Sequence, residues 1–173
     1  MKGVRKIATT GIWKIEKRLD NVIDYTTNIE KTINSDYGKD NYYDLHNVID
    51  YVEADYKTEK QFYVSGVNCN PKTALEEMTI TKEQYGKTGG ILGFHAFQSF
   101  AEGEVTPEQC HAIGVRLAEE MWGDRFEVVV STHLNTNHYH NHFVINSVSF
   151  KDGKRYYDKS GRVANAYSSF AIE

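Results

Sequence analysis

The segment RFEVVVSTHLNTNHYHNHFVINSVSF, residues 125–150, contains two apolar runs separated by a short polar loop that is rich in histidine. The first run, 125–133, includes the continuous stretch FEVVV, which is typical of a strand buried on both faces. The second run, 139–150, follows closely enough for the two strands to pair as an antiparallel hairpin. The segment therefore predicts a strand–loop–strand unit with histidines at its turn.

Upstream of this hairpin, strands and helices alternate along the chain. The final strand–loop–strand then favours an α/β fold of two layers, with a mostly antiparallel central sheet of about five strands and helices packed on one face. Thr106 and Gln109 form a T-x-x-Q capping box around Pro107, which marks the start of one helix. The predicted strands are 4–15, 61–68, 91–100, 125–133 and 139–150, and the predicted helices are 18–28, 45–56, 71–85 and 107–122.

Composition limits the possibilities further. A chain of 173 residues with 40% hydrophobic and 25% charged side chains is expected to form one domain, residues 1–160, with 161–173 as a C-terminal tail. The formal charge of −4 argues against binding nucleic acid over the whole surface, but it permits a local basic face or a bound cation. Without a signal peptide or a long apolar span, we expect a cytoplasmic protein with no membrane insertion. Cys69 and Cys110 lack a CxxC partner and are expected to be reduced.

Four of the seven histidines, His133, His138, His140 and His142, fall within ten residues. On a strand, His140 and His142 share a face about 7 Å apart, close enough for both to bind one ion. His138 has the same parity but would lie about 13 Å from His142 on a straight strand. His133 ends the preceding strand, and a hairpin brings it beside the next one. The sequence thus predicts a site of three imidazoles.

Three protein ligands leave coordination positions open, as in catalytic metal sites. We expect one divalent metal ion, manganese or magnesium in function, with zinc, nickel or cobalt as further possibilities. Two alternatives are surface histidines without a metal and a structural zinc site closed by His138. The sequence has no HExxH motif and no evident carboxylate base beside the histidines, so an ion here is better suited to polarising a phosphate than to activating water for a peptidase.

A nucleophile is then sought among side chains, and the chain has 12 tyrosines. Tyr25 lies in VIDYTTNIEKT at 22–32, on the helix that follows the first predicted strand. The similar stretch VIDYVEADYKT at 48–58 offers Tyr51 as an alternative, and His46 is another.

These motifs resemble those of a known family. The pattern HxNxxHxHNHFVIN at 133–146 resembles the third motif of conjugative relaxases of the mobilisation type, which are VirD2-like nucleases of the HUH class. The stretch 22–32 resembles their first motif, with Tyr25 in the position of the catalytic tyrosine and EKT downstream. Residues 93–114 and 146–156 also match, so the resemblance extends over residues 8–160. Asn135 departs from the aspartate of many relatives, and Asn141 replaces a hydrophobic residue.

The resemblance implies a DNA nickase in which histidines on the hairpin hold one divalent ion facing Tyr25. That tyrosine would cut single-stranded or hairpin-extruded DNA at a transfer origin and form a 5′-phosphotyrosyl intermediate, with accessory relaxosome and coupling proteins as partners. The residues expected to support the ligands or contact DNA are His138, His95, Asn135 and Asn146. Alternative functions are a rolling-circle replication initiator or transposase of the HUH class, and a nonenzymatic origin-binding accessory protein. The oligomeric state is left open.

Overall fold

The computed structural model describes residues 8–32 and 63–157. Within them, five strands form one antiparallel sheet in the order β1-β3-β5-β4-β2, which confirms the predicted α/β class and strand number. The predicted helix at 45–56, with Tyr51 and His46, and the tail at 161–173 lie outside the described residues. The strands are β1 (Thr9–Ile15), β2 (Val64–Val67), β3 (Gly93–Ser99), β4 (Val128–His133) and β5 (His140–Asn146); the helices are α1 (Leu19–Thr26), α2 (Ile29–Thr32), α3 (Ala74–Gln84) and α4 (Pro107–Met121).

The predicted hairpin is β4 and β5, and it occupies the inner positions of the sheet. Every residue of β4 is buried, as the FEVVV run predicts. In the observed register His133 pairs with His140, and Ser131 pairs with His142. Because side chains alternate between faces, the three histidines of the predicted site share one face of the sheet.

The helices cover both faces of the sheet, so the prediction of helices on one face is wrong. On one face, Leu117 and Trp122 at the end of α4 pack with Val130 and Phe143. On the opposite face, α1 and α3 pack with Val129 and Val144. The physical reason is the composition of the central strands, which are apolar at successive positions and therefore need cover on each side.

Local features of the sequence fix the start of α4. The Thr106 hydroxyl accepts a hydrogen bond from the Gln109 amide at 3.2 Å, and the Thr106 amide donates to the Gln109 side chain at 3.0 Å. This is the predicted capping box, with Pro107 in the first turn.

Cys69 and Cys110 are free thiols, as expected. None of the helices in residues 8–32 and 63–157 combines the length and apolarity needed to cross a bilayer.

Asn141 lies between His140 and His142 in β5. Its side chain points to the face covered by α4 and is fully buried. Its amide nitrogen donates to the Cys110 carbonyl at 2.8 Å and to Gln98 at 3.1 Å, and its oxygen accepts from the Thr132 hydroxyl at 2.6 Å. A polar residue is tolerated here because its hydrogen-bonding groups are satisfied.

Gly114 gives α4 its close approach to this amide. An alanine Cβ there would lie 2.6 Å from Cγ and Nδ2 of Asn141. We expect Gly114→Ala to lower the free energy of unfolding by about 1 to 3 kcal/mol, since overpacking outweighs the roughly 1 kcal/mol that alanine gains over glycine in a helix. Gly89→Ala is the control, because a Cβ there meets no described atom within 4 Å. Urea denaturation of both variants tests this, and equal stability would contradict the packing argument.

Candidate active site

The β4–β5 hairpin brings three imidazoles together on the sheet face that carries α1. His133 and His142 are buried, and His140 is half-buried. One ring nitrogen from each lies within 4.8 Å of the others. The ring centroids are 4.3 Å apart for His133 and His142, and 5.0 Å apart for His140 and His142. This spacing is compatible with three ligands converging on one small cation.

Each of these rings also has one nitrogen in a hydrogen bond. Nε2 of His133 donates to the Thr26 carbonyl at 2.8 Å, and Nδ1 of His140 donates to the His138 carbonyl at 2.9 Å. Nδ1 of His142 lies 2.8 Å from Nε2 of His95. Metal-binding histidines are usually oriented by a hydrogen bond of this kind. The arrangement therefore leaves one nitrogen of each ring for a cation.

The Nε2 atom of His142 is the strongest indication of a missing partner. It is buried and has no hydrogen-bond partner among the described residues. Leaving a buried polar atom unpaired is costly, and a metal ion would satisfy it. For Nε2 to offer a lone pair, Nδ1 must carry the proton and donate it to His95. In that tautomer, Nε2 of His95 accepts the hydrogen bond from Nδ1 of His142.

Burial keeps His142 and His133 in the neutral form. It lowers the pKa of His142 to about 2, with the neighbouring His133 and His95 as smaller causes, and the pKa of His133 to about 4. Burial also lowers the pKa of His95. The neutral imidazole is the form that binds metal. An all-nitrogen ligand set favours a transition metal ion over magnesium, which prefers oxygen ligands.

Tyr25 lies beside the histidine cluster. It is in the last turn of α1, next to Thr26, whose carbonyl accepts the hydrogen bond from His133. Its ring centroid is 5.7 Å from that of His133 and 6.0 Å from that of His142, and the residue is 52% exposed. The structure thus brings together an accessible phenol and the three imidazoles.

Lys31 adds a positive charge to this group. Its ammonium nitrogen is 3.4 Å from the centroid of the Tyr25 ring. The Lys31 carbonyl accepts a hydrogen bond from the amide of Leu134, directly after β4, at 2.7 Å. The sequence places Lys31 one to two helical turns after Tyr25, but it carries no clear signature of the turn between α1 and α2 that brings the Lys31 ammonium back over the Tyr25 ring.

The four further candidates have different positions. His95 contacts His142 directly. His138 lies in the loop between β4 and β5, where its ring donates to the Phe100 carbonyl at 3.3 Å, and it is not one of the three clustered histidines. Asn135 is exposed in the same loop. Asn146 is fully buried and donates to Glu127 at 3.0 Å, about 13 Å along β5 from His142. Asn146 is therefore not part of the cluster.

Comparison with known proteins gives a consistent result. The family described as Relaxase: MobA/VirD2-like, nuclease domain, matches residues 51–169. Protein rlx of Staphylococcus aureus is 47% identical over 92 residues, which make up 53% of this chain and 29% of that protein. The group II intron-interrupted relaxase LtrB of Lactococcus lactis subsp. cremoris is 32% identical over 146 residues, 82% of this chain and 25% of that protein. The chain therefore spans less than a third of the length of these relatives.

The histidine geometry predicts the stoichiometry of metal binding. We expect the wild-type protein to take up one manganese or zinc ion per chain, and the double variant His140→Ala, His142→Ala to take up none, because two of three ligands are lost. His138→Ala is the matched control and should still bind one ion. Isothermal titration calorimetry and elemental analysis measure this. Unchanged uptake in the double variant, with circular dichroism showing native folding, would refute the site.

His95 has a separate expected effect. Its replacement by alanine removes the hydrogen bond to Nδ1 of His142 but leaves all three candidate ligands in place. We expect His95→Ala to weaken metal binding by about 10- to 100-fold while the stoichiometry stays at one. His95→Gln, which can still accept a hydrogen bond, should recover part of the affinity. An unchanged affinity in His95→Ala would show that His95 does not orient His142.

Proposed function

This chain belongs to the MobA/VirD2-like relaxase nuclease family, and on that premise we propose that it nicks one strand of DNA at a transfer origin and so initiates conjugative mobilisation. The observation that carries the proposal is the exposed Tyr25 ring, within 6.0 Å of two of the three clustered imidazoles. The substrate is single-stranded or hairpin-extruded DNA, as the resemblance to conjugative relaxases implies.

His133, His140 and His142 would hold the divalent ion. When bound, the ion would polarise a non-bridging oxygen of the scissile phosphate and stabilise the charge that develops there. The chain's own residues orient these ligands: Thr26 and His138 accept hydrogen bonds from two of the rings, and His95 pairs with the third. The Lys31 ammonium beside Tyr25 supplies a further attraction for the DNA phosphate.

Tyr25 performs the transesterification. Its phenolic oxygen forms a bond to phosphorus while the bond from phosphorus to the 3′ oxygen breaks. The phenolic proton leaves to solvent, which reaches this half-exposed side chain, and the departing 3′ oxygen takes up a proton. The products are a 5′-phosphotyrosyl strand and a free 3′-hydroxyl. One phosphodiester replaces another, so the reverse attack by the 3′-hydroxyl can reseal the strand.

The wider role rests on the same proposal. The chain spans 25% to 29% of the length of these relatives, and within that length it supplies the nicking centre. The setting is the cytoplasm of a bacterium. Accessory relaxosome and coupling proteins are the partners. A nonenzymatic origin-binding protein would have no need for an accessible phenol next to three clustered imidazoles. Covalent capture of DNA separates the two functions.

The test compares Tyr25→Phe with Tyr51→Phe, using manganese and single-stranded oligonucleotides that tile the transfer origin of the mobile element encoding the chain. We expect Tyr25→Phe to reduce the denaturant-resistant adduct by about 1000-fold or more, because the nucleophile is lost. Noncovalent binding should stay largely intact, since phenylalanine retains the ring. Tyr51→Phe should form the adduct normally. If only Tyr51→Phe lost the adduct, Tyr51 in the stretch 48–58 would be the nucleophile. If the wild-type protein formed no adduct on any oligonucleotide, the nickase would be refuted.

A further inference from the structure

A stacked pair of aromatic rings, one exposed and one half-buried, lies on the histidine face of the sheet, next to the cluster. Trp13 of β1 is 54% exposed and stacks on Phe97 of β3, with ring centroids 5.3 Å apart and planes 15° apart. Trp13 pairs with His95 across the two strands, and Phe97 pairs with His142. All four side chains therefore lie on the same face. We call Trp13 and Phe97 the aromatic shelf.

The backbone is adapted to this stack. Gly11 pairs with Phe97, and a Cβ at Gly11 would lie 2.5 Å from Cε1 of the Phe97 ring. The absence of a side chain at Gly11 lets the Phe97 ring lie flat over β1, where it supports Trp13 from one side. The other tryptophan of the chain, Trp122, is only 2% exposed in the core. Trp13 therefore presents a large flat ring to solvent beside the cluster.

Ring contacts connect the shelf to the candidate active site. The Trp13 centroid is 5.7 Å from that of His95, and the His95 centroid is 5.0 Å from that of His142. A DNA strand whose phosphate lies at the histidine cluster would therefore carry a neighbouring base over Trp13. Flat aromatic surfaces next to a phosphate site are the usual means of holding single-stranded nucleic acid, because every base has a face that can stack.

We propose that Trp13, supported by Phe97, binds an unpaired nucleobase adjacent to the scissile phosphate. The shelf selects single-stranded over duplex DNA, because in a duplex both faces of an internal base are covered by its neighbours. It does not select a particular base, since stacking reads no hydrogen-bonding edge. This inference rests on the proposed function, because it assigns the shelf to the same DNA strand that Tyr25 would cut.

The test uses metal-free protein with Tyr25→Phe, so that neither cleavage nor metal binding contributes. Oligothymidylate is titrated while tryptophan fluorescence is followed; buried Trp122 should not respond, whereas Trp13 should be quenched. We expect Trp13→Ala to abolish the quenching and weaken binding, measured by anisotropy of labelled oligothymidylate, by about 5- to 100-fold. Trp13→Phe should retain part of the affinity, and a duplex of equal length should not quench.

Ile80→Ala is the matched control, because Ile80 is 59% exposed on α3 and should not affect binding. The proposal would be overturned if adding Trp13→Ala to the Tyr25→Phe protein left the affinity for oligothymidylate unchanged. It would also be overturned if duplex DNA quenched the fluorescence as strongly as oligothymidylate. The two proposals fail separately. If Tyr25 forms the adduct but Trp13→Ala does not change binding, only the aromatic shelf is refuted. If Trp13→Ala weakens binding but the wild-type protein forms no adduct, only the nickase is refuted.

Discussion

The register of β4 against β5 is the constraint on which the candidate active site depends. His133 faces His140 across the hairpin, and His142 follows two residues later on the same face. A slip of one residue would move both histidines of β5 to the opposite face, beneath α4, and leave His133 without partners. The apolar residues of the two strands oppose such a slip, because Val128 and Val130 pack with α4 while Val129 and Val144 pack with α1 and α3. Burial on both faces thus fixes the position of the imidazoles.

A buried polar network on the reverse face supports the same register. The Thr132 hydroxyl donates to Asn141, which directly faces it across the hairpin, and accepts a hydrogen bond from Nδ1 of His111 at 2.8 Å. Nε2 of His111 then accepts from the Ser65 hydroxyl of β2 at 2.7 Å. Burial lowers the pKa of His111 to about 4, which keeps it in the neutral form this chain of hydrogen bonds requires. Because every link needs a particular partner, the network adds specificity to the apolar packing.

One hydrogen bond connects the sheet to the proposed nucleophile. His133 donates to the carbonyl of Thr26, the residue after Tyr25, so the ring that would bind the metal also holds the end of α1. The carbonyls in the last turn of a helix lack partners within the helix, which makes Thr26 an available acceptor. Packing of Leu19 and Ile23 against Val129 and Val144 places α1 on this face of the sheet. The distance between Tyr25 and the histidines therefore depends on the core as well as on the site.

Local periodicity in the sequence was enough to predict part of the fold and of the candidate site. Alternation along β5 put His140 and His142 on one face, the short polar loop brought His133 beside them, and the box of Thr106 and Gln109 marked the start of α4. These features follow from backbone geometry over a few residues. Long-range packing was needed to show that helices cover both faces, that His95 contacts His142, and that Trp13 lies near the cluster. Those relations join residues distant in sequence through packing and strand order, for which local periodicity carries no signal.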